Sequence, residues 1–224
     1  METEAMPYIH LHSNIPGVSI GAWDIEEDEL YFLERVKLYE HEWARLAGIM
    51  HPQRRLEWLS SRLCLKELIQ ISNTVRVESL NTAAGKPYLS NDPHFISYTH
   101  STRYSAAIAS LASEVGVDIE YRCRRRNLET RHLFMGESEL DFFETQPSRE
   151  LFLLIWSAKE SLYKICGPGV TFKHDLCMDL ENFSLDDNGI LPAYVQRGDG
   201  VQRSYEVSYL VHPEFVLTYT ADRL

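Results

Sequence analysis

Cysteine is scarce in this chain: Cys64, Cys123, Cys166 and Cys177 are the only four in 224 residues, and none forms a C-x-x-C pair. The pattern speaks against a disulfide framework and leads us to expect reduced, partly buried thiols in a cytoplasmic protein. Long apolar runs are missing as well. No stretch approaches the ~18 residues of a membrane span, and the acidic opening from Met1 to Ala5 does not read as a secretory signal. Basic residues are in deficit, 22 against 33 acidic, for a net charge of −11. A duplex nucleic-acid binder would normally show the opposite balance. Low-complexity tracts and detectable repeats are also absent. What remains is a globular composition, 44% hydrophobic and 25% charged, in a chain long enough for one large domain or two small ones.

Two stretches stand out chemically. From Leu151 onward, Leu154, Ile155, Ala158, Leu162 and Ile165 fall on one side of a helix. Trp156, Glu160 and Lys164 line up on the other side at i, i+4, i+8, with Lys159 on the flank. A carboxylate between two ammonium groups beside an indole suits an anion or metal–phosphate site. It is equally consistent with a solvated Glu–Lys pair worth a few tenths of a kcal/mol. Upstream, Val115, Val117 and Ile119 alternate as the buried face of a strand, so Asp118 and Glu120 emerge together on its other face. Their spacing of roughly 7 Å lets both carboxylates serve one hard cation such as Mg²⁺, which takes one or two carboxylates and fills its remaining sites with water and phosphate. An edge-strand acidic pair neutralised by the following arginines is the alternative.

The rest of the chain mixes helices with antiparallel strands. Residues 7–23 read as two strands about an Asn14–Gly17 turn. His10 and His12 there lack a third ligand at a recognisable spacing. Asp24 is expected to cap a helix with an acidic first turn and an apolar face of Leu30, Leu33, Val36 and Leu38. A second helix is expected over 53–70, with Leu56, Leu59, Leu63 and Ile69 inward. Arg54, Arg55, Arg62 and Lys66 form its basic outer face, either a phosphate site or a solvated surface. A turn at Gly85–Tyr88 carries Lys86, and a strand from Phe95 to Ser101 puts Ile96, Tyr98 and His100 on one face. Arg122–Arg126 holds four arginines in five residues without interleaved aromatics, so a docking or phosphate-proximal loop is at least as good a reading as nucleic acid. A helical segment from Leu128 to Phe143 is interrupted near Gly136. Hairpin turns are expected at Asp187–Gly189 and Gly198–Gly200, with strands at Tyr205–Val211 and Phe215–Tyr219.

With these pieces in place the sequence resembles the 4′-phosphopantetheinyl transferases of the double-length type. Gly116-Val117-Asp118-Ile119-Glu120 matches that family's G-[IV]-D-[IV]-E motif, and Trp156 to Lys164 matches [FW]-[ST]-x-K-E-[SA]-x-x-K without departure. The Arg-rich helix, the Gly85-Lys86-Pro87 turn and the strand ending in His100 sit in the family's order, so the resemblance spans Arg54 to Gly169. Thr99 departs from the Ser that many members carry before the His.

The resemblance implies an α+β fold of two similar subdomains about a pseudo-twofold axis, 1–112 contacting the nucleotide and 113–224 supplying metal and catalytic residues. It implies a monomer that moves 4′-phosphopantetheine from coenzyme A to a serine of an apo acyl or peptidyl carrier protein. Adenosine 3′,5′-bisphosphate leaves. The metal set would be Asp118, Glu120 and Glu160 around Mg²⁺, and the catalytic set Glu160, Lys164 and Asp118. Lys159, Lys164 and His100 would hold phosphates, Arg55 and Arg62 the 3′-phosphate, and Lys86 and Pro87 would lie near the adenine. Glu137 or Glu139 would fill a further acidic position. Glu160, directly or through a metal-bound water, is expected to take the serine proton. Nucleic acid and membrane are not expected partners. A non-catalytic coenzyme A or carrier-protein binding module is the alternative function.

Overall fold

The computed structural model describes residues 8–70, 78–123, 127–198 and 200–222. The fold is α+β. Its first sheet is built wholly from the front of the chain, its second wholly from the back.

The first sheet contains β1 (Tyr8–Leu11), β2 (Val18–Asp24), β5 (Phe95–Ser101) and β6 (Tyr104–Ser110), in the antiparallel order β1-β2-β6-β5. Between β2 and β5 come α1 (Glu29–Arg35), α2 (Glu40–Ala47), α3 (Pro52–Leu68) and a separate hairpin of β3 (Ser79–Asn81) and β4 (Pro87–Leu89). The second sheet contains β7 (Val115–Tyr121), β8 (Leu176–Met178), β9 (Asn188–Gln196), β10 (Gln202–Val211) and β11 (Phe215–Ala221), in the order β7-β11-β10-β9-β8. A 3₁₀ turn (Leu128–Leu133), α4 (Glu137–Thr145) and α5 (Arg149–Cys166) lie between β7 and β8.

Strands β6, β7 and β11 are buried on both faces. Alternate residues of β2, β6, β7 and β11, among them Ile20, Ile108, Val117, Ile119 and Leu217, meet in a core between the sheets. The outer face of the first sheet packs on α3 through Leu59, Leu63, Ile96 and Ala107. The outer face of the second packs on α5 through Leu154, Ile155, Leu162, Val207 and Val216. Two-sided burial explains why β6 and β11 read as near-continuous apolar or small runs rather than alternating ones.

Several local expectations are corrected. Asp24 is the last residue of β2 and pairs with Arg103; the helix cap is Asp28, whose carboxylate accepts from the Tyr31 amide at 2.9 Å. Phe32, fully buried, is the core anchor of α1, whereas Leu30 is 62% exposed. A further helix, α2, follows it. Asn188 and Gly189 do not form a hairpin turn but open β9, where the Tyr209 ring lies against Gly189. The break at Gly136 occurs as read: it caps α4, and the segment before it is 3₁₀.

Candidate functional site

The helix α5 and the strand β7 are brought together by two devices. Ser157 and Ser161 on α5 meet the Thr218 hydroxyl on β11 at 2.9 and 2.7 Å, which fixes the helix over the sheet. Gly116 allows β7 to run close beneath it, because a Cβ there would overlap the Ser161 carbonyl oxygen. Ser148 caps the helix start, accepting from the Leu151 amide at 3.1 Å, and Gly167 ends it at φ +71°. The stripe Leu151, Leu154, Ile155, Ala158 and Leu162 is buried, so Trp156, Glu160 and Lys164 face the other way, half-buried.

Strands β5 and β7 are edge strands of their respective sheets and run beside one another. Odd-numbered β5 residues reach across to β7. The Thr99 hydroxyl donates to Asp118 Oδ1 at 2.9 Å, and the Ser101 hydroxyl donates to Glu120 Oε2 at 3.4 Å. From the helix side, Lys164 Nζ donates to Asp118 Oδ1 at 3.0 Å and to the Val117 carbonyl at 2.6 Å. Trp156 Nε1 donates to Glu120 Oε1 at 2.8 Å, with its indole stacked on Phe172 and met edge-on by Phe134. Each acidic residue of β7 is thus gripped from both halves of the chain.

These side chains wall a cavity of about 330 Å³ lined by Tyr98, Thr99, His100, Asp118, Glu120, Trp156, Glu160 and Lys164. His100 Nδ1 is 3.0 Å from a Glu57 carboxylate oxygen on α3. Asp118 Oδ2 is buried with no hydrogen-bond partner. A buried carboxylate oxygen without a partner is costly, and together with nearby carboxylates it fits a hard, oxygen-seeking cation. Among the described residues no three or more His, Cys, Asp or Glu side chains are drawn together as a metal cluster. Mg²⁺ needs only one or two protein carboxylates when phosphate and water complete its shell.

Five expected ligand-binding residues do not line the cavity. Lys159 does not reach the cavity: its fully buried Nζ donates to Glu139 Oε2 at 2.6 Å and to the Phe134 and Phe172 carbonyls, each at 2.7 Å. Burial lowers its proton affinity, partly offset by Glu139. Glu139 rather than Glu137 is the embedded acid, also accepting from the Gly136 and Met178 amides. Arg62 is not on an outer face either. It is buried over the Trp58 ring at 3.4 Å and paired with Glu42 at 3.4 Å. Arg55 makes a two-point pair with Glu29 at 2.6 and 2.8 Å, which raises the arginine's pKa and lowers the carboxylate's. Lys86 pairs with Glu114, and Pro87 opens β4. Of the arginine run, Arg122 pairs with Glu150 while Arg124 to Arg126 lie outside the described residues.

Sequence reasoning passed over Glu57 and Ser101 as functional residues. The parity of β5 carried a signal for Ser101, since Thr99 and Ser101 share the face opposite His100. Glu57 had none, because its partner is 43 positions away.

Among curated proteins, comparison finds no match. A family model described as the 4′-phosphopantetheinyl transferase superfamily matches residues 114–220. That segment, just under half of the chain, holds β7, α5 and all four charged side chains that meet between them, and it is similar to the 4′-phosphopantetheinyl transferase superfamily.

Proposed function

We propose that this cavity transfers 4′-phosphopantetheine from coenzyme A to a serine of an apo carrier protein, with the chain dividing near residue 112 into a nucleotide-contacting half and a catalytic half. The observation that carries the reading is the pairing of a buried, partnerless Asp118 oxygen with Glu120, Glu160, Lys164 and His100 in one cavity. Asp118, Glu120 and Glu160 would hold Mg²⁺, which when bound supplies charge neutralisation along the pyrophosphate.

Phosphoryl transfer asks mainly for positioning and electrostatic complementarity. Lys164 and His100 line the cavity from α5 and β5, so both halves would offer a nitrogen donor to the same anionic group. In the transfer, the serine oxygen bonds to the pantetheine-side phosphorus as the bond from that phosphorus to the bridging oxygen breaks. Adenosine 3′,5′-bisphosphate carries the electron pair away. Glu160, on the cavity wall, accepts the serine proton. Lys159 instead fixes α5 against α4 through Glu139.

The test is release of adenosine 3′,5′-bisphosphate on mixing protein, coenzyme A, Mg²⁺ and an apo carrier. Release by wild type and its loss in Asp118→Ala support the reading; equal release by both overturns it. Near-full activity of Glu160→Gln would remove Glu160 as the base. A second reading, a coenzyme A or carrier-binding module without catalysis, draws on the engagement of Asp118 and Glu120 by Lys164, Thr99, Trp156 and Ser101. Coenzyme A binding without bisphosphate release would select it.

A further inference from the structure

The helix α3 grips the end of β5 at two points one helical turn apart. Gln53 Nε2 donates to the Thr102 carbonyl at 2.5 Å, and four residues later Glu57 meets His100. Residues i and i+4 of a helix share a face. Even-numbered β5 residues face α3: Ile96 enters its core cluster, and the Tyr98 hydroxyl meets Arg62. His100 continues that face at the rim, 39% exposed, while the Glu57 side chain is only 12% exposed. Thr102, at φ +53°, turns the chain immediately beyond and is held by Gln53.

From this geometry we infer that Glu57 is a positioning residue, which fixes the His100 ring so that Nε2 is presented to the cavity as an anion-binding donor. A carboxylate can accept but not donate, so the proton between the two groups sits on Nδ1. With Nδ1 committed to Glu57, the polar atom left to the cavity is Nε2. Nε2 donates only in the imidazolium form, which donates from both nitrogens, to Glu57 on one side and to an anionic oxygen on the other. Without Glu57 the exposed ring rotates freely about χ1 and χ2, and its Nε2 has no fixed direction. The charged groups sharing the cavity with His100 are Asp118, Glu120, Glu160 and Lys164. Three of these four are acidic, so a histidine that must meet an anion there gains from a fixed direction. The choice of coenzyme A as the probe anion rests on the function proposed above.

The experiment compares wild type with Glu57→Gln, Glu57→Ala, His100→Ala and the double variant, all as the full chain. Imidazole ¹⁵N spectra of the free protein report the Nδ1–H of His100. Calorimetry with coenzyme A reports affinity. Glu57→Gln is the control for folding, since its amide oxygen can still accept from Nδ1. Loss of the Nδ1–H signature in Glu57→Ala is expected, as is a roughly tenfold weaker affinity, by analogy with the lower end of the loss seen when a metal-ligating histidine loses its orienting partner. Glu57→Gln should stay within about threefold of wild type. In the His100→Ala background, Glu57→Ala should change affinity no further, an outcome that a merely structural role for Glu57 would not give. An unchanged imidazole spectrum in Glu57→Ala, or equal losses in the presence and absence of His100, overturns the inference. If wild type binds no coenzyme A, the functional reading fails instead, and the imidazole spectrum alone decides the role of Glu57.

Discussion

Replacing Lys159 by Ala should cost the fold far more than it costs ligand binding. The ammonium is fully buried, and its three partners, Glu139 Oε2 and the Phe134 and Phe172 carbonyls, all lie within 2.7 Å. Alanine leaves the Glu139 carboxylate charged and 2% exposed, with only the Gly136 and Met178 amides as donors. Breaking a buried ion pair from one side costs about 3–5 kcal/mol. A domain of this size holds only ~5–15 kcal/mol in total. At about 2–4 °C per kcal/mol for chains of 150–250 residues, the melting temperature should fall by roughly 6–20 °C. The measurement is urea and thermal unfolding followed by circular dichroism, paired with coenzyme A calorimetry well below the variant's midpoint. Removing both charges, Lys159→Met with Glu139→Gln, should recover most of the loss, because the uncompensated carboxylate is what destabilises the single variant. A Lys159→Ala protein melting within about 2 °C of wild type while losing coenzyme A affinity would refute this reasoning and return the ammonium to the cavity.

Other outcomes follow from the same contacts. Asp118→Ala should fold normally yet lose at least ~100-fold in turnover, the scale of one preorganised charge contact, as measured by bisphosphate release. Gly116→Ala should destabilise by about 1–3 kcal/mol or more, because the new methyl meets the Ser161 backbone rather than a yielding side chain; chemical unfolding checks it. Trp156→Phe keeps the ring stack but removes the bond to Glu120, a hydrogen bond to a charged group worth about 1.5–3 kcal/mol. It should reduce turnover while leaving coenzyme A affinity nearly intact. Burial pushes the Cys64 thiol well above its ordinary range. A native-state thiol reagent should therefore modify exposed Cys123 quickly and Cys64 only on unfolding.

One wall of the candidate site was legible in the sequence because it is written in two short periodic elements. The 3.6-residue repeat of α5 put Trp156, Glu160 and Lys164 on one face, and the two-residue repeat of β7 put Asp118 and Glu120 on another. Periodicity fixes a direction relative to the element's own axis. It says nothing about whether a neighbouring element covers that direction. Lys159 and Arg62 show the limit: each is charged and flanks an apolar stripe, and a type-based reading sends it outward. Glu139 and Glu42, 20 positions away in each case, are what make burial possible. Asp24 failed as a cap for a related reason. Its carboxylate is claimed by Arg103, 79 positions later, which leaves the nearby Asp28 to accept the helix amide. The antiparallel strands and the break at Gly136 depend on local signals and were readable, whereas the 3₁₀ form of the segment before that break was not. The juxtaposition of β5 with β7, which makes the site from two sheets, depends on contacts between sequence-distant edges.

The most direct test of the central claim is intact-mass analysis of a panel of apo carrier proteins after incubation with this protein, coenzyme A and Mg²⁺. Transferase action is expected to give a phosphopantetheine-sized gain on at least one carrier, absent with EDTA and absent with Asp118→Ala. No gain on any carrier, with coenzyme A binding still measurable by calorimetry, would contradict it and leave a binding module in its place.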